Sequence, residues 1–155
     1  MPVLLKEVKS RQDLAEFIRF PFLLYKGNQF WLPPVFLDEK NFHNPKKNKA
    51  LRLNDSVLFM AYKDKKPAGR IMGIIHKVYN GNKAEKCVRF FKFDCIKDQE
   101  VAHELISAVE QWGRNQGMEE IIGPFGFSDK DPQGLLIKGS MYGPPLLPLT
   151  IIPII

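Results

Sequence analysis

VRFFKFDCIKDQEVAHELISAVEQWGRNQGMEEIIGPF, residues 88–125, changes its period twice, and that change decides the fold. Its first part is rich in aromatics and alternates in polarity, as a half-buried strand does. From Asp98 the spacing becomes helical: Val101, Leu105, Val109 and Trp112 share one stripe, with Ala102, Ile106 and Ala108 on its flanks. Asp98 is placed to N-cap this helix and Gly117 to close it at C′. Residues 119–127 (EEIIGPFGF) then read as a strand. A strand, helix and strand in such quick succession favour a parallel pair joined by a right-handed crossover.

Working outward, residues 3–8 suit a first strand, and Ser10 caps a helix through Asp13, Leu14, Phe17 and Ile18 that is expected to fade near Pro21. Residues 20–36, FPFLLYKGNQFWLPPVF, read as irregular aromatic cover. Beyond the polar stretch NPKKNKALRLND (44–55), strands over 56–62 and 69–78 form a hairpin around the turn at 63–67. An Asn-Gly pair within 80–83 predicts another hairpin turn into a strand over 86–96, which makes three consecutive antiparallel strands. The fold class expected is α/β (α+β), with a mixed, mostly antiparallel sheet flanked by helices.

At 155 residues, 45% hydrophobic and 26% charged, the chain is expected to form a single domain over 1–155. No apolar run approaches the roughly 20 residues of a membrane span, and the first ten residues lack signal-peptide character, so a cytoplasmic location is expected. Lys and Arg outnumber Asp and Glu by 23 to 17, a net charge of +6 that favours a polyanionic partner. The basic residues are scattered and match no recognition helix or zinc finger, so no specific nucleic-acid partner is expected. Cys87 and Cys95 lie on one strand, roughly 26 Å apart at full extension, and cannot bridge. With no histidine spaced to join them they predict buried thiols, and no metal site is expected.

The order of elements, and the 88–125 stretch above all, resembles the central strand, donor-binding helix and following strand of GNAT N-acyltransferases. FWLPP (30–34), NPKKN (44–48), PAGRIMGII (67–75), FDCIKDQEVAHELISAVEQW (93–112) and GPFGFSDKDPQGLLI (123–137) together resemble a subgroup of longer bacterial GNAT-like proteins. The resemblance implies an acetyl-CoA or longer acyl-CoA donor and an amine acceptor. The thioester would lie where two parallel strands splay apart, and the pyrophosphate on amides at the next helix N-terminus. The donor contacts so implied are Phe93, Cys95, Ile96, Lys97, Gln99, Val101 and Ala102. One departure stands out: Glu100 occupies the position of a glycine that lets phosphate approach, and a carboxylate there repels pyrophosphate. Two explanations stay open: a donor held differently, with Lys46 or Lys47 taking part, or a fold retained without the donor.

Asp94 on the central strand is the candidate general base, and the alternative is a surface carboxylate paired with Lys92 on the same face. Ser128 or Asp129, in the Gly- and Pro-rich loop 123–134, are candidate substrate contacts, against the reading of a rigid turn. His76, His43 and His103 are weaker base candidates, and Cys95 reads better as buried than as a nucleophile. The aromatic cover suits a lipid-like amine. A non-catalytic ligand-binding module on the same fold is the alternative function, and homodimer formation is left open. The final strands of the family pattern are expected to be missing, with 140–155 an irregular tail and the chain the N-terminal portion of a frameshifted longer product.

Overall fold

The computed structural model describes residues 2–133 and 150–153. In chain order the elements are β1 (Leu4–Glu7), α1 (Arg11–Leu24), α2 (Phe36–Phe42), α3 (Lys49–Leu53), β2 (Asp55–Lys63), β3 (Lys66–Ile75), α4 (Lys77–Lys83), β4 (Cys87–Cys95), α5 (Gln99–Asn115), β5 (Glu120–Gly123) and β6 (Thr150–Pro153). The six strands form one sheet in sequence order. All neighbours are antiparallel except β4 and β5, which run parallel across the α5 crossover.

The helices cover both faces of this sheet. Val101, Leu105 and Val109 of α5 pack on Ile71, Ile75, Val88, Phe90 and Ile121. On the opposite face Phe17 and Phe20 of α1 meet Met60, Met72, Ile74, Phe91 and Phe127. The α5 start follows the sequence: the Asp98 carboxylate caps it, and Gly117 takes the positive φ (81°) that ends it.

Helix α1 does not fade at Pro21 but runs on to Leu24. A proline there leaves the Phe17 carbonyl without its helical donor. Arg70 supplies one instead, its Nη1 donating to that carbonyl at 2.9 Å. The expected cover also contains the start of α2, and the polar stretch at 44–55 contains α3, capped by the Asn48 side chain.

The Asn-Gly turn expected at 80–83 is instead the end of α4. His76 caps that helix through Nδ1, which accepts from the Tyr79 amide, so the strand expected to reach 78 stops at Ile75. Asn80 donates its side-chain amide to the Cys87 carbonyl and ties α4 to β4. The strand expected over 119–127 ends at Gly123, before Pro124, which has no N–H for a ladder.

The irregular tail expected over 140–155 is corrected at 150–153. There the β-branched run Thr150, Ile151, Ile152 pairs antiparallel with Glu120–Gly123 as β6, and one strand follows β5 after all. The rest of that tail, and Gly134 of the loop, lie outside the described residues.

Candidate active site

An extra residue in β4 shapes the candidate site. Phe91 pairs with Met72 and Asp94 with Arg70, so Lys92 and Phe93 together face the single residue Ile71. Lys92 takes a positive φ of 51°, the left-handed region that non-glycine residues seldom adopt. This bulge exchanges the faces of the strand. Lys92 and Asp94 do share a face, as expected, but it is that of Phe91 against α1 and α2, opposite Val88 and Phe90. The parallel ladder with β5 stops short of the bulge: pairing ends at Arg89 and Ile122, with one further bond from the Phe125 amide to the Phe90 carbonyl. The β4 edge is thereby opened toward a cleft of about 440 Å³, lined in part by Trp31, Pro34, Phe91, Phe93 and Pro124.

Two carboxylates line this cleft, each with its own cation. Asp94 accepts from Arg70 Nε at 2.8 Å through Oδ2 and from the Tyr25 hydroxyl at 2.8 Å through Oδ1. Burial, and then Asp94, push the Tyr25 phenol well above its ordinary range. Arg70 itself is buried, stacks on the Phe17 ring at 4.9 Å and is fixed by the Phe17 carbonyl. The alternative of an Asp94–Lys92 pair is therefore corrected. Lys92 reaches Glu39 Oε1 at 2.6 Å, over the rings of Phe42 and Phe91.

Glu39 is 6% exposed, and its second oxygen, Oε2, has no hydrogen-bond partner among the described residues. A buried carboxylate oxygen left without a donor is costly, which marks it as an acceptor waiting for one. The sequence reading did not single out Glu39. Its signal lies in the stripe Phe36, Glu39, Phe42, His43, where one carboxylate sits at helical spacing among apolar neighbours.

His43 lies beneath the pair, edge-on to Phe17 and Phe42, with Nε2 unpartnered among the described residues. Burial, then Lys92 and Arg70, push its pKa down to about 3, so the imidazole is neutral near pH 7. A proton acceptor that weak does not suit a base. His76 is spent as a cap, its pKa lowered chiefly by burial, and His103 is exposed beside Ser107. Burial raises both thiols, Cys87 to about 12, and suits neither as a nucleophile.

Ser128 does not join Asp94. It lines a separate cavity of about 620 Å³ together with Lys47, His76 and Asp131. Its Oγ accepts from the Lys130 amide and its own amide donates to Asp131, so it holds the loop in shape. Arg89, 3% exposed, fixes the same loop from below by donating to the Gly126 carbonyl at 2.7 Å and stacking on Phe125.

The expected donor contacts divide in the same way. Phe93 lines the cleft, and Cys95 packs half-buried on the α5 face. Val101 is core, and Lys97, Gln99 and Glu100 are exposed. The start of α5 is occupied: Asp98 Oδ1 accepts from the amides of Glu100 (3.0 Å) and Val101 (3.3 Å), the donors a pyrophosphate would need. Lys63 bridges Asp98 Oδ2 (2.5 Å) and Glu100 Oε2 (3.1 Å).

Among solved structures, the GNAT-family acetyltransferase of Staphylococcus aureus Mu50 superposes with a TM-score of 0.56 at 18% identity, over 79% of this chain and 73% of that one. The chain has the GNAT fold. The same fold relates it to the PaiA N-acetyltransferase of Thermoplasma acidophilum, in complex with coenzyme A (TM-score 0.51, 13% identity, 79% and 78% covered). It relates it also to FeeM, an N-acyl amino acid synthase from uncultured soil microbes (TM-score 0.53, 11% identity, 77% and 69% covered). In sequence, the chain is 33% identical over 139 residues to protein YghO of Escherichia coli K12. It is 28% identical over 133 residues to the bacterial ceramide synthase of Caulobacter vibrioides. These alignments cover 88% and 85% of this chain but 35% of each relative, so the chain spans about a third of their length. No protein-family model matches. Among the described residues, no helix is long and apolar enough to cross a membrane, and no group of three or more His, Cys, Asp or Glu could hold a metal ion.

Proposed function

We propose that this GNAT-fold chain carries the acyl-transfer cleft of an N-acyltransferase, joining an acyl group from a thioester donor to the amine of an apolar-chain acceptor. One observation carries the reading: the bulged β4 edge, unpaired with β5 beyond Phe90, opens on a cleft that holds Glu39, with one carboxylate oxygen uncommitted among the described residues, and Asp94 anchored by Arg70 and Tyr25.

In the reaction the amine nitrogen attacks the thioester carbonyl carbon. The C–N bond forms, the C–S bond breaks, the amine gives up a proton, and the departing thiolate takes one from solvent. Glu39 Oε2 accepts the amine proton, and Asp94, held by two donors, orients the incoming nitrogen. Apolar walls from Trp31, Leu32, Pro33, Pro34 and Phe93 suit an acceptor with a long hydrocarbon chain. Two similar proteins point the same way, one named a ceramide synthase and the other an N-acyl amino acid synthase.

Acyl-CoA is the donor that the CoA-bound neighbour suggests. Its pantetheine arm has the open β4 edge to pair with, but its pyrophosphate does not fit the α5 N-terminus, which Asp98 already caps. That filled turn also favours a second reading, a non-catalytic ligand-binding module on the same fold.

An acyl-transfer assay with octanoyl thioesters and a dodecylamine acceptor separates the two. The enzyme reading expects turnover, and Glu39→Gln, which keeps an acceptor for Lys92 but loses the base, is expected to lower kcat by about 10²- to 10⁴-fold with little change in KM. An unchanged kcat in Glu39→Gln removes Glu39 from the chemistry. Binding of the thioester without any turnover moves the assignment to the module.

A further inference from the structure

The turn at which the GNAT resemblance would seat a pyrophosphate is filled from within. The amides of Glu100 and Val101 are bound by Asp98 Oδ1. Three neighbouring amides are committed as well: that of Ile96 to the Ala68 carbonyl at 2.8 Å, that of Asp98 to the Ile96 carbonyl at 2.7 Å and that of Ala102 to the Asp98 carbonyl at 3.1 Å. Lys63 is shared between two carboxylates, Asp98 Oδ2 and Glu100 Oε2, and Lys97 stands exposed in the turn beside them. Lys63 first, and then the Val101 amide, hold the Asp98 carboxyl below its ordinary range, so it is ionised at neutral pH.

A phosphate entering here would have to expel Asp98 from its two amides and then lie beside both that carboxylate and Glu100. Coulomb repulsion and the loss of two charge-assisted hydrogen bonds oppose both steps. The backbone does not offer the bare approach of a glycine either, since Glu100 adds a side chain where phosphate must come close.

We propose that the α5 turn is closed to the pyrophosphate, so that the chain selects its donor by the acyl-pantetheine arm alone and draws no affinity from the nucleotide end of CoA. Asp98 acts as an internal anion in the place of the ligand's phosphate. This rests on the acyltransferase reading above, and it locates donor recognition in the β4 opening rather than at the helix.

Calorimetric titration of the 155-residue chain with S-octanoyl-pantetheine and with octanoyl-CoA tests it. The two dissociation constants are expected to agree within about threefold. In the Asp98→Gly, Glu100→Gly double variant octanoyl-CoA is expected to bind at least tenfold more tightly, with S-octanoyl-pantetheine unchanged. A native chain that prefers octanoyl-CoA by tenfold or more overturns the proposal without any variant, and so does a folded double variant that gains nothing for octanoyl-CoA. If neither compound binds the native chain, the acyltransferase reading fails and the proposal with it, an outcome distinct from a CoA preference.

Discussion

Arg70 joins three elements through one guanidinium: the α1 backbone at Phe17, the Phe17 ring and the β4 carboxylate of Asp94. Replacing it by Leu leaves a partly buried anion and a bare helical carbonyl, and a loss of about 3–5 kcal/mol is expected in urea unfolding. Arg70→Lys, which keeps charge but not the forked geometry, should fall between the two. His43 has a pH signature. Its folded pKa, about 3, lies below the ordinary 6.5, so its contribution to stability is complete above pH 6.5 and is lost as pH falls toward 3. Below pH 6.5 the slope from this one group approaches about 1.4 kcal/mol per pH unit. The stability of the native chain relative to His43→Phe should therefore fall as the solution is acidified, and a constant difference would show that the imidazole charges freely in the fold. Asp94 was legible in the sequence because a carboxylate interrupts an aromatic strand. Glu39 was not, because its cation lies 53 residues away and only tertiary structure brings Lys92 to it.

Helix α5 was readable as an element because its buried positions, Val101, Leu105, Val109 and Gly113, recur every four residues. Its closeness to the sheet was not readable. A Cβ at Gly113 would stand 2.7 Å from Val88 Cγ1, so Gly113→Ala, normally worth about 1 kcal/mol in favour of a helix, is expected here to destabilise by about 1–3 kcal/mol. Thermal unfolding measures the sign directly. A gain in Tm would mean that α5 can lift off β4 without penalty. Helix α4 escaped the sequence reading because its determinants are a histidine cap and an asparagine bond to a distant strand, neither of which has a period. The β4 bulge escaped it for a related reason: polarity goes on alternating through Lys92 and Asp94 while the faces change beneath it.

Over the whole molecule the sheet is graded from centre to edge. Strand β3 is paired on both sides and covered by helices on both faces, whereas β1 and β6 are four-residue edges. Hydrogen exchange should follow that order, with inner β3 amides at least about 100-fold slower than those of β1. Uniform protection would argue that the sheet opens only as a unit. The mixed sheet and the helices α1 and α5 were legible because each follows from local periodicity; the short helices α2, α3 and α4 were not, and neither was the cleft, which arises where a ladder fails. The extra residue in β4 also has a genetic meaning. Without Lys92, Phe93 would stand opposite Ile71 while Asp94 stayed opposite Arg70 and Cys95 opposite Gly69, so every core side chain would keep its face. A chain lacking Lys92, with Glu39→Gln to remove the stranded charge, is therefore expected to fold with native circular dichroism yet lose S-octanoyl-pantetheine binding; retained binding would mean that the opening does not depend on the bulge. Two changes in a gene, the loss of one codon and the exchange of Glu39, then separate a sheet without the bulge from one with it, and either change made alone leaves a charge without its partner.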